Sequence, residues 1–222
     1  MKYINKQIAL EPQTLAIYRN TTPNATYLGF GDTGSVLKNA LLIEQGYLCA
    51  YCMKKLPDSN FVSVEHYIAR EKHISSPFTQ SKHDKKSLLF TNMLGVCKNN
   101  GIHCDKKRGN VSLKILNPHD KNCETLVQYT LDGRIKVENN GKVKFDADLL
   151  QLNCQIVKDS REHFWEEAKA KLIAKYPKVT WTKKILETEK QIYISKSNGK
   201  FKAYCNYIIF KFNHLLNQPK YN

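Results

Sequence analysis

Four cysteines, set as Cys49-Ala50-Tyr51-Cys52 and the later pair Cys97 and Cys104, constrain this chain more than any other feature. A C-x2-C knuckle puts two sulfurs on one tight turn, and a second pair downstream can close a site of four thiolates. Such a set suits zinc, a borderline-soft ion that takes four sulfurs tetrahedrally and needs no open position in a structural site. The second pair is the wider C-x6-C, but its insert holds Asn100-Gly101, a tight-turn signal that can fold the extra residues outward. His103 competes for the fourth position. Cys123, Cys154 and Cys205 have no such spacing, and Cys205 lies on an apolar helical stripe and reads as core. Seven cysteines are an odd number for a disulfide framework. No continuous apolar stretch opens the chain as a signal peptide would, so the expected compartment is the reducing cytoplasm, where thiols serve metals.

At 222 residues the chain is long enough for one or two domains with a substantial core. A composition 41% hydrophobic and 25% charged excludes global disorder and collagen-like repeats. No run approaches the roughly 20 apolar residues of a membrane span. Lys and Arg number 35 against 20 Asp and Glu, and the resulting +15 favours partners rich in negative charge.

Three regions follow from the pattern. Residues 1–34 are polar and turn-rich and read as an arm over the surface. Residues 35–112 begin with a helix, capped by Ser35, with Val36, Leu37, Ala40 and Leu41 on one face and Gly46 as its stop. Most of the Cys and His follow in loop-rich sequence. In 113–222, the alternation TLVQYTL, the Asp132-Gly133 turn, RIKVE, Asn140-Gly141 and KVKF predict short antiparallel strands between 125 and 146. The tail predicts helices over 159–176 and 182–195, and a last one after Asn198-Gly199 carrying the stripe from Phe201 to Leu216. The expected fold class is α+β.

Between the cysteine pairs stands Val64-Glu65-His66, at the end of the apolar run FVSV. Asn92 follows in LLFTNML, then His103-Cys104-Asp105-Lys106-Lys107-Arg108-Gly109. An unperturbed imidazole titrates near pH 6.5, so His66 can act as a base at neutral pH. Carboxylates such as Asp105 and Glu65 suit a hard divalent ion. Lys107 and Arg108 suit a phosphate. The order Cys pair, acid-His, Asn, Cys pair, Asp, basic residue resembles the HNH endonucleases. More narrowly, MKYINK, LNPHDKN, YTLDGRI and LLQLNCQIVKDSR resemble the HNH component (PtuB) of the Septu antiphage system and related retron-associated nucleases.

The resemblance implies a ββα-metal core backed by structural Zn²⁺ on Cys49, Cys52, Cys97 and Cys104. It implies His66 as the catalytic His, Asn92 as the middle Asn, and Asp105 in a third position that is often His or Asn. It implies Mg²⁺ or Mn²⁺ held by Asp105 and Glu65, a nucleic-acid substrate (DNA ahead of RNA), and an ATPase partner (PtuA-like) that part of the apolar tail would dock. The sequence holds no G-x4-G-K-[ST], so ATP chemistry would come from another chain. Gly29-Phe30-Gly31-Asp32-Thr33-Gly34 satisfies G-x-G-x-x-G, but TTPNATYL before it is no strand, and it reads as a loop. His73 and His83 read as an exposed polar loop, and His119 as lying outside the chemistry. The rival reading is a non-catalytic zinc module that binds nucleic acid or a protein partner.

Overall fold

A computed structural model describes residues 1–6, 11–71, 79, 84, 86–137 and 140–221. His73 and His83 lie outside the described residues. The chain mixes helix and sheet. Helices α1 (Gln13–Thr21), α2 (Tyr27–Phe30) and α3 (Val36–Glu44) precede an antiparallel pair, β1 (Val62–His66) and β2 (Met93–Cys97). Then come α4 (Asp105–Arg108), α5 (Cys123–Leu126), α6 (Gly141–Leu149), α7 (Gln155–Lys175), α8 (Lys183–Ile194) and α9 (Cys205–Leu216).

The β1–β2 register pairs Val62 with Cys97, Val64 with Gly95 and His66 with Met93. It therefore brings one end of the hairpin to the thiols and the other to His66 and Asn92. Behind β2, the Gln45 side-chain amide donates to Gly95 O (2.7 Å) and its oxygen accepts from Gly95 N (2.6 Å). A glycine is suited here because a Cβ would stand only 3.3–3.4 Å from that amide and from Leu41.

Several sequence readings are corrected. Ser35 does not cap α3; it sits at φ +56, and the Asp32 carboxylate accepts from Leu37 N and Lys38 N instead. Leu37, Leu41 and Leu42 form the buried face, while Val36 is exposed. Among the described residues of 125–146, the expected strands reduce to one bridge, Tyr129 with Ile135, around the Asp132-Gly133 turn. KVKF belongs to α6, which Asn140 caps through Lys142 N and Val143 N. Its fully buried Asp146 accepts from Lys114, Ile115 and Leu116 N at 2.7 Å each. A period of three to four residues (Val143, Asp146, Ala147) there overrode the apparent alternation. The tail helices form as expected, although α7 starts at Gln155 and α9 only at Cys205.

The main core runs from Met1 to Phe212, and it joins the knuckle cysteines to Trp165, Leu172, Tyr204, Ile208 and Phe212 of the tail. Tyr204 N bonds Met53 O, and Phe201 N bonds Gly46 O. A smaller core holds Leu15, Leu37, Leu41, Leu88, Phe90 and Met93. Residues 1–34 therefore supply core, with Met1, Ile4 and Leu15 all buried, instead of lying over the surface.

Candidate functional site

The knuckle forms where Cys49 N reaches Lys54 O and Met53 N reaches Cys49 O, with Met53 at φ +64. The Sγ atoms of Cys49, Cys52, Cys97 and Cys104 all lie within 4.8 Å of one another and are buried. Three of the separations are 3.7, 3.8 and 3.9 Å. Four sulfurs at about 2.3 Å around one tetrahedral zinc would stand about 3.8 Å apart, so the quartet has the dimensions of a zinc site.

The insert between Cys97 and Cys104 folds outward as a turn, with Gly101 at φ +82 and Asn99 Oδ1 accepting from Ile102 N and His103 N. That turn places His103 Nδ1 3.0 Å from Cys104 Sγ and 3.9 Å from Cys97 Sγ. The imidazole thus supports the sulfurs from outside the quartet. Cys97 N points at Cys49 Sγ (3.3 Å), a further donor of the kind that steadies thiolates. Burial and then the neighbouring thiols push Cys104 up, whereas hydrogen bonds from Cys104, Cys49 and Cys52 hold Cys97 down. A divalent cation is what would let all four sulfurs be thiolates.

At the far end of the hairpin, Asn92 ties its loop to the segment after β1. Its amide donates to Ile68 O (2.9 Å) and Lys86 O (3.1 Å), and its oxygen accepts from Ile68 N (2.7 Å). This leaves His66 with Nε2 2.9 Å from Ser87 O. A carbonyl only accepts, so Nε2 carries the proton and Nδ1 keeps its lone pair. Burial lowers the His66 pKa to about 4. The ring is therefore neutral at pH 7.

Glu65, one residue earlier, is ion-paired with Arg108 and accepts from Tyr51 OH (3.0 Å) and from His66 N (3.1 Å). Burial pushes Glu65 up to about 8 although Arg108 pulls it down, and Asp105 adds to the rise.

Arg108, expected at the phosphate, is instead 2% exposed. It donates to Tyr51 OH, Glu65, His66 O, Tyr67 O and Val111 O. Its planar fork holds the exit of β1, while Lys106 and Lys107 of the same turn of helix stay exposed. The structure thus brings Glu65, His66, Asn92 and Asp105 to one end of the hairpin, the four thiols to the other, and leaves Lys107 at the surface. Sequence reasoning did not find Tyr51 or Ser87. Tyr51 had one signal, its place inside the knuckle; Ser87 acts through its backbone, which carries none. No protein-family model and no curated protein matches the chain.

Proposed function

We propose that this protein is a metal-dependent HNH endonuclease, the nuclease subunit of an antiphage defence complex with a PtuA-like ATPase. The observation that supports the reading is the His66 ring, kept neutral by burial and fixed in tautomer by the Ser87 carbonyl at Nε2, with the Glu65 and Asp105 carboxyls near it. Phosphodiester hydrolysis needs a base for water and a cation against the developing phosphoryl charge. His66 Nδ1 takes the proton from the attacking water, and its fixed tautomer makes it an acceptor from the outset. Asp105 and Glu65 would hold a divalent ion, Mg²⁺ or Mn²⁺, which would neutralise the charge that develops on the phosphodiester. Asn92 holds the loop that presents Ser87. Lys106 and Lys107 contact backbone phosphates, and structural Zn²⁺ on the thiols anchors the other end of the hairpin. The substrate is nucleic acid, with DNA ahead of RNA. Among the described residues no helix is long and apolar enough to cross a membrane.

The second reading, a non-catalytic zinc module, rests on burial: His66 is only 4% exposed. Cleavage separates the two. Plasmid, single-stranded DNA and tRNA are incubated with Mg²⁺ or Mn²⁺ and with EDTA, with and without the ATPase. His66→Ala is expected to keep zinc yet lose about 10²–10⁴-fold in rate at a temperature where both proteins are folded. No cleavage by the wild type under any of these conditions would return the protein to the zinc-module reading, and equal cleavage by wild type and His66→Ala would remove His66 from the chemistry.

A further inference from the structure

The neutral imidazole of His66 is gripped from two sides, and both grips lead back to residues 11–34. On one side stands the Ser87 carbonyl, which the small core holds in place. Leu88 and Phe90 just beyond it pack with Leu15, Leu37, Leu41 and Met93. Arg19 of α1, ion-paired with Glu11, also donates to Leu88 O at 3.1 Å. On the other side stands Tyr27, the first residue of α2. Its ring meets the imidazole edge to face, with centroids 4.5 Å apart and planes at 84°.

Tyr27 is itself held. Thr26 caps α2 by accepting from Gly29 N, and Tyr18 OH donates to Thr26 O (3.1 Å). The Tyr18 and Phe30 rings pack at 5.6 Å. Gly29 lets the Tyr18 hydroxyl come this close, since a Cβ would stand 2.6 Å from it. The Arg70 guanidinium stands over the Tyr27 ring, 5.3 Å from its centroid.

One hydrogen bond at Nε2 fixes a point on the imidazole but not its plane, because the second side-chain torsion of histidine is broad. We propose that Tyr27 is a positioning residue for His66: its ring locks the imidazole plane so that Nδ1 holds one direction. On this view residues 11–34 build the cradle of the catalytic base, a task for which their polar, turn-rich sequence gave no cue. The inference rests on the nuclease reading for its kinetic test and on geometry alone for its spectroscopic one.

The experiment compares Tyr27→Leu, Tyr27→Met and Tyr27→Phe in the full chain. Zinc content, melting temperature, kcat and KM on the cleaved substrate, and the His66 ring-proton resonances are measured for each. Misaiming a reacting group costs up to about 10²-fold in rate. Tyr27→Leu and Tyr27→Met should therefore lose about 10- to 100-fold in kcat with KM, zinc and melting temperature kept. Tyr27→Phe, which keeps the ring, should restore kcat to within about 2-fold. The His66 ring protons should move in the Leu and Met variants and stay in place in the Phe variant.

An unchanged kcat in Tyr27→Leu would overturn the proposal. So would a Tyr27→Phe as slow as Tyr27→Leu, or a loss of rate that tracks loss of zinc or of melting temperature. If wild type itself does not cleave, the nuclease reading fails by itself. The ring-proton comparison then still decides the clamp.

Discussion

His66 shows how a single residue couples chemistry to stability. Burial holds it near pKa 4, below the roughly 6.5 of an unfolded chain. As pH falls, the unfolded state takes up its proton first, so the contribution of His66 to stability is complete above about pH 6.5 and disappears by about pH 4. At about 1.4 kcal/mol per unit, roughly 3 kcal/mol is at stake. Glu65, pushed up to about 8, acts in the opposite sense, favouring the fold at low pH and losing that favour as pH rises from its ordinary range. The clean measurement is therefore a difference: wild type should lose stability relative to His66→Gln between pH 6.5 and 4 in denaturant titrations. Parallel curves would mean that the ring is not held neutral by the fold. Arg108 teaches the converse lesson. Within Lys106-Lys107-Arg108 it reads as one more solvated cation, yet only its place in the turn of α4 carries it inward to Glu65.

At the scale of elements, the buried Asp146 shows what α6 does where a strand was expected. Its carboxylate satisfies three consecutive backbone N–H groups of the segment 114–116. Asp146→Ala would leave those donors buried and unpaired at about 1–3 kcal/mol each, so a loss of at least about 3 kcal/mol is expected. Urea unfolding checks it; a change under about 1 kcal/mol would show that water replaces the carboxylate easily. The hairpin β1–β2 is the element that matters to the site. At one end Cys97 joins the knuckle, and at the other His66 meets Ser87, within five residues of strand on each side.

At the scale of the molecule, the knuckle and the helical tail share one core, so neither is independent. A chain ending at residue 158 lacks Trp165, Tyr204 and Phe212, which pack into the same cluster as Cys49 and Cys52. It should show no cooperative melt by circular dichroism, whereas a self-sufficient 1–158 would melt as a unit. Removing zinc should have the same reach. Structural zinc contributes about 10–16 kcal/mol of apparent binding free energy, much of it folding energy, so chelation or Cys52→Ser should collapse the melting transition of the whole chain. Metal analysis together with calorimetry tests this, and a tail that still melts normally would contradict it. The +15 charge makes a further demand. If it serves duplex nucleic acid, log Kd against log salt should steepen by about 0.9 per phosphate contacted, and a flat salt titration would assign the charge another purpose.

The sequence by itself determined the chemistry-bearing groups. The C-x2-C spacing forces two sulfurs onto one turn, and Asn100-Gly101 lets the wider pair close on them, both of which are local backbone effects. The tail helices were legible for the same reason, since their apolar period is written within each segment. What only the tertiary structure decided were the groups whose role depends on distant neighbours. Asp32 replaced Ser35 as a cap, and KVKF became helix because Asp146 found three donors some 30 residues away. Arg108 went inside because Glu65 and the carbonyls of His66 and Tyr67 awaited it there. Tyr27 and the Ser87 carbonyl met at His66 because residues 11–34 close a second core behind it. Spacing along the chain encodes contacts within a turn or a strand, but contacts between segments are fixed only when burial brings the segments together.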